Sequence, residues 1–142
     1  MILIADSGST KTDWRLIDEK AVKSLSTRGI NPYHSSEKEI REELEKLDFQ
    51  GKEHNIHEIY FYGSGVANTE MKDIIHHALQ NRIGVHPYIQ VHDDLLGVAR
   101  ALFQDGRGIA CILGTGSNSG LYEEGKISDK VPALGFSLGD EG

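Results

Sequence analysis

The sequence predicts an α/β fold: a mixed sheet whose first three strands are antiparallel, with helices on both faces. Three observations carry this. Short apolar or alternating runs at Met1–Ala5, Trp14–Asp18 and Ala21–Thr27 succeed one another with only turns between them, as in a meander. Strand-like and helix-like runs then alternate, the pattern of a sheet covered by helices. Two apolar strands, near each end of the chain, run into turns of glycine, serine and threonine.

The elements follow in order. Met1–Ala5 is apolar throughout and reads as a strand buried on both faces. Asp18-Glu19-Lys20 turns Trp14–Asp18 into Ala21–Thr27. Ser36-x-x-Glu39 is a capping-box pattern, and Ile40, Leu44 and Leu47 then space one apolar stripe along a helix. Glu58–Tyr62 is a strand closed by Gly63-Ser64-Gly65, and its aromatic run Tyr60, Phe61 and Tyr62 reads as core. Met71, Ile74, Ile75, Ala78 and Leu79 mark a second amphipathic helix, capped by Asn68 or Thr69. Tyr88–Val91 is another strand. Leu95–Phe103 is apolar almost all round and reads as a buried helix starting near Asp93-Asp94. Ile109–Leu113, Leu121-Tyr122 and Lys126–Val131 are the last strands, with Glu124-Gly125 as a turn.

The chain has 142 residues and a net charge of −7, from 15 basic and 22 acidic residues. That length makes one domain. The acidic balance disfavours nonspecific nucleic-acid binding and anionic membrane surfaces. It leaves phosphorylated ligands open, because backbone N–H groups hold phosphate without a basic surface. No apolar stretch approaches the about 18 to 20 residues that span a bilayer, and no leader pattern is present. The single Cys111 lies in an apolar run and reads as a buried, inert thiol, which fits a reducing cytoplasm. The glycine-rich, acidic "LGFSLGDEG" at the C-terminus suggests a fragment of a longer protein.

Chemistry concentrates in two turns. "ILIADSGSTKT" and "ACILGTGSNSG" share one grammar, an apolar strand running into glycine and hydroxyl residues. Glycine permits positive φ and lets N–H groups converge on an anion without Cβ interference. Two such turns on neighbouring strands would grip a polyphosphate from both sides. Asp6, at a strand end, would hold Mg²⁺ through water. Alone, either turn is also an ordinary polar hairpin, and Lys11 is as much a surface lysine as a phosphate contact. No P-loop and no G-x-G-x-x-G fingerprint is present. Asp93 and Asp94 sit where a strand meets a helix. They read either as helix-start acids or as a general base at the carboxyl end of a sheet. "RGINPYH" offers an amide and an aromatic ring suited to a sugar, or simply a turn through Asn-Pro. The histidines show no metal-ligand spacing.

With these residues in view, "DSGSTKTDW" resembles the first phosphate motif of the sugar kinase, actin and Hsp70 ATPase superfamily, and "GTGSN" its second. "DDLLGVARAL" and "GDEG" are similar to segments of its N-acetylglucosamine kinase branch, which also holds activator ATPases of benzoyl-CoA reductase and 2-hydroxyacyl-CoA dehydratase. The resemblance runs from Ile2 to Gly142. It implies a ribonuclease H-like, actin-like ATPase domain over residues 1–142, with the family's second, adenosine-binding domain absent from this chain. It implies ATP and Mg²⁺ as cofactors. Asp6 would order Mg²⁺ through water. Ser7, Gly8, Ser9, Thr10, Lys11, Gly114, Thr115 and Gly116 would meet ATP phosphates. Asp94, ahead of "LLG", would be the catalytic base. Asn31, Tyr33, Ser117, Asn118, Gly135 and Asp140 would contact the sugar, with Tyr33 where some members carry tryptophan.

The expected activity is transfer of the ATP γ-phosphate to a hydroxyl of N-acetylglucosamine or a related hexosamine, in the cytoplasm, with the isolated chain inactive. Its partners are the sugar and ATP, not nucleic acid or membrane, and a homodimer is left open. An activator-type ATPase is the alternative within the branch. Its bridged iron–sulfur cluster needs paired cysteines, and Cys111 stands alone. A second alternative is a module that senses amino sugar without turnover.

Overall fold

The structure is a computed structural model and describes residues 1–114 and 116–131. The strands β1 (Ile2–Ser7), β2 (Lys11–Ile17) and β3 (Val22–Arg28) come first. Then follow α1 (Glu37–Glu45), β4 (Glu58–Gly63), α2 (Thr69–Ile83), β5 (Tyr88–Asp93) and α3 (Asp94–Phe103). The last strands are β6 (Gly108–Leu113), β7 (Ser117–Glu123) and β8 (Lys126–Lys130). This is the order expected from the sequence, with one addition, a 3₁₀ turn at Glu53–Asn55. The chain divides into two compact units, Met1–Asp94 and Leu95–Gly142.

The first unit is built on a five-stranded sheet in the order β3-β2-β1-β4-β5. β1 pairs antiparallel with β2, and β2 with β3, so the predicted meander forms. β4 lies parallel to β1, and β5 parallel to β4, which makes the sheet mixed. Registers align Leu3 with Leu16 and Ile59, and Ala5 with Trp14 and Phe61. That row and Val91 form one buried sheet face. Ile40 and Leu44 of α1 and Ile75, Ala78, Leu79 and Ile83 of α2 belong to the same core, so within this unit the two helices cover a single face. Each fully buried large apolar side chain contributes roughly 1.5–3 kcal/mol. Period-two alternation also splits the aromatic run: Phe61 is buried, whereas Tyr60 and Tyr62 are half-buried on the opposite face. Tyr60 donates to Glu58 at 2.6 Å, and Tyr62 stacks on His92 with ring centres 5.8 Å apart.

Local signals set the helix ends. Ser36 Oγ accepts from Glu39 N–H at 3.3 Å while Glu39 Oε2 accepts from Ser36 N–H at 2.8 Å, closing the capping box. The Ser36 backbone and hydroxyl hydrogen bonds hold the Glu39 carboxyl below its usual range. Asn68, rather than Thr69, caps α2, accepting from Met71 N–H at 2.9 Å. The last turn of α1 contains no basic residue. Arg82 of α2 supplies one, donating to Leu44 O at 3.1 Å and Leu47 O at 2.6 Å with its guanidinium over the Phe49 ring.

The first hairpin is tied to the following loop by two buried hydroxyls. Ser7 Oγ and Thr12 Oγ1 lie 2.7 Å apart, and both accept from Ile30 N–H, at 3.0 and 3.2 Å. Ser7→Ala is expected to cost about 1–3 kcal/mol, because it strips a partner from buried polar groups. Chemical denaturation would show this as a lower midpoint with an unchanged slope.

In the second unit, β6, β7 and β8 form a three-stranded antiparallel sheet. Leu95 and Ala99 of α3 pack with Ala110 and Tyr122 beneath them. Tyr122 OH donates to Gln104 O at 2.8 Å. Three expectations are corrected here. The two glycine-rich turns do not lie on neighbouring strands: β1 is flanked by β2 and β4, whereas β6 pairs with β7 in a separate sheet. Helix α3 is not buried all round: Leu95 and Ala99 are buried at i, i+4, but Leu102 is 63% exposed. Cys111 is not buried but exposed. It alternates with Ala110 and Ile112, which face the α3 cluster. Within this unit no described element covers its own face, where Ile109 and Leu113 are exposed too.

Candidate active site

In an open sheet with parallel strands, ligands meet the carboxyl ends of those strands. Here β1, β4 and β5 run parallel and end together, with Ser7 in register with Gly63 and Gly63 with Asp93. Four segments of the first unit converge there: the Gly8–Lys11 turn, the Gly29–Tyr33 loop, Gly63-Ser64-Gly65, and Asp93-Asp94.

The Gly8–Lys11 turn is closed by Gly8 N–H donating to Lys11 O at 3.0 Å. Gly8, Ser9 and Thr10 are exposed. Among the described residues a Cβ on Gly8 would meet only Lys11 O, at 3.7 Å, which leaves the backbone open to close approach there. The expected positive φ is found neither at Gly8 nor at Gly114; what these glycines supply is space. Of the hydroxyls on Ser7, Ser9, Thr10 and Thr12, only those of Ser9 and Thr10 face outward. Ser7 continues the buried Leu3–Ala5 row, and its Oγ serves the Ile30 contact, so any part it takes in holding phosphate is through its backbone. Lys11 Nζ lies 2.7 Å from Asp13. Asp6 is exposed and directly opposite Asp13 on β2.

The Gly29–Tyr33 loop is wedged against this turn. A Cβ on Gly29 would come 2.4 Å from Gly8 O and 2.5 Å from Ser9 C and O. Only glycine permits that approach. Asn31 is buried, and its Oδ1 accepts from Tyr33 N–H at 2.9 Å, shaping the turn that leaves Tyr33 58% exposed. Behind Asn31 stands Gly65, with φ +77° and room for no side chain: a Cβ there would lie 2.1 Å from Asn31 Oδ1. Ser64 N–H donates to Ser7 O at 2.9 Å, extending the β1–β4 pairing one residue past Gly63. Asp93 ends β5, and Asp94 opens α3. Thus Asp6, Gly8, Ser9, Thr10, Lys11, Asn31, Tyr33 and Asp94 all belong to one end of one sheet or to the loops packed on it.

The remaining candidates lie in the second unit. Gly114 N–H donates to Gly116 O at 3.0 Å, closing a hairpin as Gly8 does, and among the described residues a Cβ on Gly114 would meet nothing nearer than Gly116 O at 4.0 Å. Ser117 and Asn118 start β7, and Asn118 Oδ1 is buried without a hydrogen-bond partner among the described residues. Thr115, Gly135 and Asp140 lie outside the described residues. Sequence reasoning missed Gly29, Ser64 and Gly65. Gly63-Ser64-Gly65 carried a signal, a small-residue turn after an apolar strand, but it was read only as a strand ending.

The donor chemistry fits a magnesium nucleotide. Among the described residues no three His, Cys, Asp or Glu side chains group as a metal site. Mg²⁺ does not need such a cage, since it keeps several waters and takes one or two carboxylates beside phosphate oxygens. Asp6 would supply the carboxylate, and the open Gly8–Thr10 backbone would supply N–H groups to phosphate.

No protein-family model and no curated protein matches this chain. Solved structures do. The "Putative N-acetylglucosamine Kinase" from Porphyromonas gingivalis matches with a TM-score of 0.90 and 42% identity, over 99% of this chain and 50% of that one. An exopolyphosphatase from Cytophaga hutchinsonii gives a TM-score of 0.49 and 18% identity over 96% of this chain and 51% of that one. The Ppx/GppA phosphatase from Aquifex aeolicus gives 0.47 and 13% over 96% and 53%. These two are too distant to carry an argument. The chain spans about half the length of each of these structures. The Porphyromonas match pairs high identity with a close superposition along nearly all of this chain. Along nearly its whole length the chain is thus similar to one half of the Porphyromonas protein.

Proposed function

We propose that this chain is the phosphate- and sugar-binding half of an ATP-dependent kinase of N-acetylglucosamine or a close hexosamine. The observation that carries the reading is the 42% identity over 99% of the chain to the Porphyromonas "Putative N-acetylglucosamine Kinase". The convergence of an open glycine turn, a buried asparagine and two carboxylates at the ends of β1, β4 and β5 supports it.

In this reading the Gly8–Lys11 turn binds ATP phosphate oxygens through backbone N–H groups, with Ser9 and Thr10 hydroxyls beside them. The Gly114–Gly116 turn binds phosphate in the same way. Asp6 would hold Mg²⁺ through water, and the ion would supply charge neutralisation on the phosphates. Asn31, Tyr33, Ser117 and Asn118 hold the sugar. Asp94 accepts the proton of the attacking hydroxyl. The sugar oxygen then bonds to the γ-phosphorus, the bond from that phosphorus to the β–γ bridging oxygen breaks, and ADP leaves with the electron pair. Gly135 and Asp140 complete the proposed sugar contacts.

Because the chain covers 50% of that relative, turnover is assigned to a protein of the relative's full length. Phosphoryl transfer depends on positioning and charge stabilisation. Met1–Gly142 alone is therefore expected to bind ATP feebly and to turn over no sugar. It is still expected to bind N-acetylglucosamine. An amide-shift titration of the chain with that sugar checks this: shifts should appear at Asn31 and Tyr33. Shifts absent from that loop at saturating sugar would defeat the assignment. Robust sugar phosphorylation by the chain alone would refute the need for the rest.

A further inference from the structure

The buried side-chain atoms that lack a hydrogen-bond partner among the described residues are Asn118 Oδ1 and Ser64 Oγ. Asn118 already has a proposed role on the sugar. Ser64 has none. A hydroxyl removed from water without a partner costs stability, so proteins seldom keep one unless something meets it.

Its surroundings narrow what that is. Gly63 pairs with Ser7 on one side and Asp93 on the other. Ser64 is the next residue, held to Ser7 O by its own N–H at 2.9 Å, at the level where β5 passes into Asp94. Gly65 follows directly and touches Asn31 Oδ1 so closely that a Cβ would not fit. Ser64 thus stands between the proposed base and the proposed sugar asparagine, within one compact unit. A serine hydroxyl donates one hydrogen bond and accepts others, which matches an alcohol rather than an anion alone.

We propose that Ser64 is a sugar-binding residue whose hydroxyl pairs with one hydroxyl of the acceptor sugar and positions it at the site. This rests on the kinase reading of the same site. Ser64→Ala removes only an oxygen that the ligand-free protein leaves unpartnered. It should therefore leave the ligand-free melting temperature unchanged or raise it, where loss of a structural hydroxyl would lower it.

The test is calorimetric titration of the chain, wild type and Ser64→Ala, with N-acetylglucosamine and its monodeoxy analogues. Wild type should lose affinity for one analogue. Ser64→Ala should bind the parent sugar about five- to tenfold more weakly, as expected for one neutral hydrogen bond, and lose no more for that analogue. An unchanged affinity, or a lower melting temperature, overturns the Ser64 inference while leaving the kinase reading intact. A wild-type chain that binds no N-acetylglucosamine overturns both.

Discussion

Asp94→Asn is expected to lower turnover about 10²- to 10⁴-fold, the usual worth of a general base. The substitution keeps the side chain's size and its capacity to start a helix. It removes the basic carboxylate that is proposed to take the proton from the sugar hydroxyl. Asp93→Asn should cost little. Asp93 is the last residue of β5, in register with Gly63, whereas Asp94 opens α3 beyond the sheet's carboxyl end. Sugar binding should survive in both variants, because Asn31 and Asn118 are untouched. The measurement is turnover of a protein with the Porphyromonas relative's full length, alongside a thermal melt of each variant. A dead Asp93→Asn beside an active Asp94→Asn would move the base by one residue. Full activity in both would make the pair a helix start and nothing more.

Gly29→Ala is expected to destabilise the chain by about 1–3 kcal/mol or more, the range for forcing atoms into a packed site. The new Cβ would lie 2.4 Å from Gly8 O and 2.5 Å from Ser9 C and O. Those are backbone atoms, so no rotamer change relieves the contact. Either the hairpin or the loop must move, and the turn proposed to hold phosphate moves with it. Weaker Mg·ATP binding should therefore accompany the stability loss. Gly8→Ala makes the opposite case. Among the described residues its Cβ would meet only Lys11 O at 3.7 Å, so the fold should tolerate it. The added methyl would stand on the open side of the turn, where phosphate is proposed to approach, so affinity should fall with stability intact. Denaturation curves and nucleotide titrations on both variants separate the two effects. Wild-type stability in Gly29→Ala would show that the wedge is not tight.

Much of the fold was legible because its signals are local. The capping box at Ser36 and Glu39, the Asn68 cap and the alternation in β1 and β2 need only neighbouring residues, and they place the elements. Errors arose where the outcome depends on which layers cover an element. Cys111 and Leu102 sit in apolar runs, yet both are exposed, because α3 and the three-stranded sheet bury one face of each other. The same division holds in the site. The glycine turn, Asn31 and the Asp93-Asp94 pair stood out by residue type. Gly29 did not, since its need for glycine comes from Gly8 and Ser9 across the fold. Nor did Ser64 beyond its place in a small-residue turn, since what marks it is a buried hydroxyl without a hydrogen-bond partner among the described residues. The Ser7 hydroxyl was counted toward phosphate by type, but alternation with Leu3 and Ala5 turns it inward onto Ile30.

Phosphorus NMR of a reaction mixture tests the central claim most directly. A protein of the relative's full length is incubated with Mg·ATP and N-acetylglucosamine. The account predicts one sugar phosphate for each ADP formed, no sugar phosphate without ATP, and near-complete loss of the product signal in Asp94→Asn. Release of inorganic phosphate with no sugar phosphate would point instead to an activator-type ATPase, and sugar binding with ATP left intact to a sensing module; either result contradicts the kinase assignment.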